Sequence, residues 1–250
     1  GVATVTLNNP DKHNAFDDGV IAELTKIFMD LAERQDVNVM ILASTGKRFS
    51  AGADLNWMRR MADNNRQENL EDAGRLAELM RALNDMPQAT IALVQGAAYG
   101  GAVGLAACCD MVVACNDSSF CLSEVKIGLI PAVISPYVVR AIGERQARRY
   151  FLTAEAFSSS QAQKFGLVHE TVDSEEQLDE AKERLLKPLL NNSPKAVSAA
   201  KQLVFAVSNK PTDSKVIADT AERIADIRVS EEGQEGLSAF LNKRKPNWIQ

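Results

Sequence analysis

Histidine is scarce in this sequence: His13 and His169 are the only two among 250 residues. A Ser-His-Asp triad needs an imidazole beside its nucleophile, and no G-x-S-x-G elbow is present to supply one. No His, Cys and carboxylate residues fall at metal-ligand spacing, so no metal is expected. The four cysteines, Cys108, Cys109, Cys115 and Cys121, include no C-x-x-C pair and lie among apolar residues. They read as buried free thiols in a reducing compartment. Positive charge is in deficit, with 28 Lys and Arg against 33 Asp and Glu, a net charge of −5 and a pI near 5.2. Such a chain lacks the global field that gathers nucleic acid, and no nucleic-acid partner is expected, although a local basic patch for an anionic ligand stays open. No apolar run approaches the ~20 residues of a membrane span, so no membrane partner is expected either. Gly46-Lys47-Arg48 lacks the remainder of a phosphate-binding P-loop, and the glycines at 96, 100, 101 and 104 do not spell G-x-G-x-x-G.

What is present is an ordinary globular composition, 46% hydrophobic and 24% charged, which excludes collagen, disorder and a disulfide-stapled miniprotein. Val2–Asn8 alternates as a strand does, and Asn9-Pro10-Asp11 ends it. Val20, Ile21, Leu24, Ile27, Phe28 and Leu31 predict a helix beginning near Asp17. Val37–Leu42 and Thr90–Val94 are short apolar runs of the kind buried on both faces of a sheet, and Met111–Ala114 is a further strand. Asn56–Asp85 reads as one or two exposed helices joined by a mobile connection. Ala102–Cys109, built of small residues, predicts a closely packed helix. Strand and helix alternate to this point, which argues for parallel sheets with crossover helices. The last quarter is helical: Leu178, Ala181, Leu185, Leu186 and Leu189 line one face, and Ser193-Pro194 is a cap followed by proline. Val216, Ile217, Thr220, Ile224 and Ile227 line another face, and Leu237, Phe240 and Leu241 a last one. A boundary is expected near Lys187, with a mixed core over 1–187 and a helical region over 188–250 that packs on partner subunits.

Two loops could present backbone amides to a ligand: Ser50-Ala51-Gly52-Ala53-Asp54 and Gly100-Gly101 at a helix start. Amides at a helix N-terminus have no partner within the helix and attract negative charge. Two donors converging on one oxygen make an oxyanion hole. Each loop alone reads first as a tight turn that holds nothing. Together, and with Ser123-Glu124-Val125-Lys126-Ile127-Gly128-Leu129-Ile130-Pro131, they resemble the crotonase (enoyl-CoA hydratase/isomerase) superfamily, in order and over nearly the whole chain. Asp54-Leu55-Asn56-Trp57-Met58 and Ile130-Pro131-Ala132-Val133-Ile134-Ser135-Pro136 look most like bacterial methylglutaconyl-CoA hydratases.

The resemblance implies an α/β fold, a spiral of ββα turns followed by helices that build homotrimers or homohexamers. It implies an acyl-CoA thioester as substrate and no separate cofactor, since coenzyme A is part of the substrate. The amides of Ala53 and Gly101 would hold the thioester oxygen, and Glu124 would move a proton at the α-carbon. Lone glutamates are commonly solvated, but the apolar stretches flanking Glu124 argue for partial burial. Lys12, His13, Ala51, Asp54 and Leu55 match CoA contacts, as do Phe240 and Lys243 from the tail, often reaching a neighbouring subunit. Lys243-Arg244-Lys245 is equally a basic helix terminus. Arg59 and Arg60 could meet a carboxylate at the acyl end of the substrate, but read first as a solvated helix face.

One position departs from the pattern. Where two-glutamate hydratases carry a second carboxylate, this sequence has Gly104. Hydration of an α,β-unsaturated acyl-CoA, with methylglutaconyl-CoA as the finer expectation, therefore competes with Δ3,Δ2 double-bond isomerisation by Glu124 alone. The expected location is the cytoplasm of a bacterium, or the mitochondrial matrix for a eukaryotic chain with a leader before Gly1.

Overall fold

The computed structural model describes residues 1–249. Its strands are β1 (Val2–Leu7), β2 (Val39–Ser44), β3 (Ala89–Val94), β4 (Ala97–Tyr99), β5 (Met111–Cys115), β6 (Ser119–Cys121), β7 (Phe157–Ser158) and β8 (Glu170–Val172). Its helices are α1 (Asp18–Ala32), α2 (Leu55–Ala62), α3 (Arg66–Asn84), α4 (Gly101–Cys108) and α5 (Ser135–Thr153). They continue with α6 (Ser159–Phe165), α7 (Glu175–Asn191), α8 (Pro194–Val207), α9 (Ser214–Val229) and α10 (Glu231–Leu241).

The apolar runs of β2, β3 and β5 form the centre of a five-stranded parallel sheet ordered β1-β2-β3-β5-β8. Side chains alternate across a strand, so each run feeds two cores. Met40, Leu42, Ala92, Val94, Val112 and Ala114 face one cluster, into which α1, α3, α4 and α5 also pack. Val39, Ile41, Ile91, Leu93, Val113 and Cys115 face the other, closed by Leu178, Ala181 and Leu186 of α7. A second, three-stranded sheet is ordered β4-β6-β7, with β4 and β6 parallel and β7 antiparallel. The units β3-β4-α4 and β5-β6-α5 each give one strand to either sheet and then a helix, which is the expected ββα spiral.

Several local readings shift. The charged segment 55–84 is two helices, but α3 is not simply exposed: Leu79, Met80 and Leu83 are wholly buried. An Asn65/Glu68 capping box starts it. Helix α7 continues through Lys187 and Pro188, so the break between elements comes at Asn192–Ser193. Ser193 accepts from the Ala196 amide at 3.1 Å, and Pro194 takes the first helical position. Helices α8 and α9 bury no residue within the chain. Helix α8 is tied to the core by Val197, which packs against the second cluster, and by Lys201, whose Nζ donates at 2.8 Å to Asp110 and at 3.2 Å to the Gln88 carbonyl. All four cysteines are free and buried, and burial pushes each thiol above its ordinary pKa. Among the described residues no helix is long and apolar enough to cross a membrane.

Candidate active site

Strands β2 and β3 are parallel neighbours, so the chain leaving each emerges on the same edge of the sheet. Beyond that edge the chain runs into β4, and Ser50 pairs with Ala98 of β4 as an isolated parallel bridge. On its other side Ala98 pairs with Phe120 of β6, also parallel. Three parallel segments thus lie side by side, and the residues that follow them leave in one direction. Ala53 comes three residues after Ser50, Gly101 three after Ala98, and Glu124 four after Phe120. This is how positions far apart in the sequence come to one place.

The Ala53 amide is aimed by its neighbours. Phe16 N–H donates to the Gly52 carbonyl at 2.7 Å, and Asp54 N–H donates to the Phe16 carbonyl at 2.7 Å. In an extended chain the intervening N–H points the opposite way. Accordingly, the Ala53 amide has no protein acceptor among the described residues, and Ala53 is exposed. Gly52 must be glycine: its φ is +87°, and a Cβ would lie 2.8 Å from the Tyr99 carbonyl oxygen. The two amide-bearing loops are pressed backbone to backbone at that point.

Gly101 is the first residue of α4, and its amide likewise has no protein acceptor among the described residues. Gly100 before it donates to the Cys121 carbonyl at 2.8 Å and takes φ 54°, ψ −121°, a conformation open to glycine. A Cβ on Gly100 would lie 3.3 Å from Glu124 Oε1. The carboxylate therefore rests against the start of α4, beside a free amide and the positive end of the helix. Glu124 opens a 3-10 turn, Glu124–Ile127, that closes on Gly128 in the left-handed region. It is half-buried, its Oε2 is buried with no hydrogen-bond partner among the described residues, and burial raises its pKa. Ile127, Leu129 and Ile130, next in sequence, leave an apolar surface exposed.

The other expected residues are more dispersed. Lys12 is exposed at the end of a 3-10 turn, and His13 follows at φ 54°. The His13 carbonyl accepts from the Ala51 amide at 2.9 Å, so 12–13 and 51–54 run alongside each other. Asp54 spends its carboxylate capping α2, accepting from Asn56 N at 2.8 Å and Trp57 N at 3.0 Å. The Trp57 amide first, then Asn56 and the charges of Lys12 and Arg60, hold Asp54 below its ordinary pKa. Leu55 is 69% exposed, free to meet a ligand. Arg60 pairs with Asp18, and Arg59 donates to Asn56 at 2.7 Å. Phe240 is 81% exposed on α10, and Lys243 follows that helix at φ 52°. Among the described residues neither makes a hydrogen bond or ion pair to the loops around Ala53, Gly101 and Glu124. Arg244, between the two tail lysines, is held by Glu235 at 2.6 and 2.7 Å.

Two polar residues do more than their sequence signals. Buried Asn14 donates to the carbonyls of Thr45 and Arg48 at 2.9 and 3.0 Å and accepts from the Asn9 amide at 2.8 Å. Gln95 donates to the carbonyls of Ser44 and Gly46 at 2.9 and 3.1 Å. Together they fix the turn that carries Ser50–Asp54. A cavity of ≈ 570 Å³ lies elsewhere, among Lys47, Gln95, Cys115, Asp117, Asp173 and Glu176. Its acid-rich wall is unsuited to an anionic ligand.

The chain matches the family model described as enoyl-CoA hydratase/isomerase over residues 1–250. Its backbone superposes on the crystal structure of an enoyl-CoA hydratase from Shewanella pealeana with a TM-score of 0.96, at 49% identity, covering 99% of this chain and 92% of that one. It matches the structure of Pseudomonas aeruginosa AtuE with a TM-score of 0.95, at 34% identity, over 100% and 96% of the two chains. The enoyl-CoA hydratase AKT6-1 of Alternaria alternata is 33% identical over 251 aligned residues, 98% of this chain and 80% of that protein.

Proposed function

Because the chain belongs to the enoyl-CoA hydratase/isomerase family, we propose that it adds water reversibly across the double bond of an α,β-unsaturated acyl-CoA. One observation carries this reading: a half-buried carboxylate, Glu124, with an unpartnered oxygen, lies against a helix start whose first amide is free. The thioester oxygen would accept from the Ala53 and Gly101 amides. Attack on C3 moves charge onto that oxygen, and donors already in place stabilise the enolate more than the ground state. Glu124 handles the proton at C2. Its raised pKa brings the carboxyl closer to the working pH, where both protonation states can be used. Lys12, His13, Ala51, Asp54 and Leu55 would follow the CoA portion, and no separate cofactor is required. The finer assignment is methylglutaconyl-CoA, and the assembly a homotrimer or homohexamer in which Phe240 and Lys243 reach a neighbour's CoA. The cytoplasm, or the mitochondrial matrix in a eukaryote, is the setting that goes with this substrate.

A second reading, Δ3,Δ2 isomerisation, has Gly104 in its favour, because the chain offers no carboxylate there. A screen of enoyl-CoA thioesters, methylglutaconyl-CoA included, separates the two by mass spectrometry. Hydration adds the mass of water, whereas isomerisation leaves the mass unchanged. Turnover of none of them would overturn both.

A further inference from the structure

Position 104 is closed to every side chain. A Cβ built on Gly104 would lie 2.3 Å from Ile134 Cγ2, 2.8 Å from Ile134 Cβ and 3.2 Å from Met80 Sδ. Ile134 is 2% exposed and Met80 wholly buried, so neither has open space to retreat into. Gly104 lies four residues beyond Gly100, the non-helical residue that precedes α4, and so one turn into the helix. Glu124 rests against Gly100. The place one turn into α4 is therefore filled with hydrocarbon from Ile134, which sits just ahead of α5.

We propose that Ile134 is a specificity-determining residue: by occupying the place one turn into α4, it confines proton transfer in this site to the single carboxylate of Glu124. The inference rests on the hydration reading and deepens it. Glu124 then acts twice in one turnover. As the water oxygen bonds to C3, one water O–H bond breaks and its proton passes to the Glu124 carboxylate. The C2=C3 electron pair moves into the enolate held by the two amides. The enolate re-forms the carbonyl as C2 takes the proton back from Glu124, which returns to carboxylate. Water is the sole reagent consumed.

The test is a double-substitution cycle on the full chain with two readouts. In the thermal arm, Gly104→Ala should lower Tm by several degrees, on the order of 5 °C. In an Ile134→Gly background the same change should be neutral or raise Tm, because the methyl then enters vacated space. A Gly104→Ala protein with unchanged Tm would overturn the proposal. In the kinetic arm, Gly104→Glu in the parent should lose at least about tenfold in kcat. Added to Ile134→Gly, it should raise kcat for crotonyl-CoA hydration about tenfold or more over Ile134→Gly alone, with a smaller change in KM. A folded Ile134→Gly/Gly104→Glu protein no faster than Ile134→Gly would place Ile134 away from the reacting carbons and overturn the proposal. A parent that hydrates no enoyl thioester, with the thermal cycle intact, overturns the hydration reading instead.

Discussion

The surroundings of Glu124 disfavour its charged form: it is half-buried, and one oxygen has no hydrogen-bond partner among the described residues. Burial raises its folded pKa above the unfolded value of about 4.3. For a carboxyl shifted in this direction, the stabilising contribution is full below the unfolded pKa and is lost as pH rises through the folded one. Glu124→Gln should therefore have a Tm at or above the parent's near pH 8, with the difference shrinking toward about pH 4, as thermal unfolding across pH would show. The same substitution removes proton transfer and should lower kcat by ~10²–10⁴-fold while leaving KM largely unchanged. A loss of less than tenfold would place the acid–base group elsewhere. Gly101 offers an independent residue-scale test. Its amide bonds no protein atom among the described residues, and proline is tolerated at the first position of a helix. Gly101→Pro should fold and keep some CoA affinity, yet lose ~10²–10³-fold in kcat, the usual effect of one oxyanion donor. Normal kcat in a folded Gly101→Pro protein would move the thioester oxygen to another site.

At the scale of elements, the site depends on how the chain after β2 is held. Asn14 stands at φ 53° while its side chain serves three backbone groups. Asn14→Ala should cost about 1–3 kcal/mol from the unpaired buried groups, with a further penalty for a Cβ-bearing residue lacking asparagine's local bonds in the left-handed region. Asn14→Gly keeps that conformation open and loses only the clamp. The expected order of Tm is parent, then Gly, then Ala, and both variants should lose kcat as the Ala53 amide drifts. Equal kcat in all three would show that the loop holds itself. These clamps also mark what the sequence could and could not reveal. Short apolar runs such as Thr90–Val94 announced the central strands because burial on both faces leaves a compositional trace. The amide loops and Glu124 were legible through the resemblance and through small residues where backbones approach closely. Strands β4, β6 and β7 have only 3, 3 and 2 residues, too few for a period to emerge, so the array that gathers Ala53, Gly101 and Glu124 was not readable. Asn14, Gln95 and Ile134 act on residues about 30 to 50 positions away, and nothing local signals that.

For the whole molecule, the C-terminal helices pose a question of burial. Val204, Ile217, Ile224, Val229, Leu237, Phe240 and Leu241 are exposed in the single chain, although each belongs to a helix with an apolar stripe. The Lys201–Asp110 pair, with Lys201 only 8% exposed, pins α8 to the core and leaves those stripes outward. Fully burying an aliphatic or aromatic side chain is worth ~1.5–3 kcal/mol, so covering even part of this surface with other copies can hold an assembly together. A trimer or a pair of trimers is expected, and light scattering at micromolar concentration should return about three or six times 27.2 kDa. Phe240→Asp sets a charge on the most exposed aromatic of this surface and should shift the species toward smaller mass. If Phe240 also reaches a neighbour's CoA, the variant held at concentrations where it remains assembled should show a raised KM with kcat nearly unchanged. That pattern is the mark of lost ground-state binding remote from the reacting carbons. A stable monomer in the parent would remove the route from Phe240 and Lys243 to a neighbour's ligand. The loops beside Glu124 would then have to hold the whole CoA ester from within one chain.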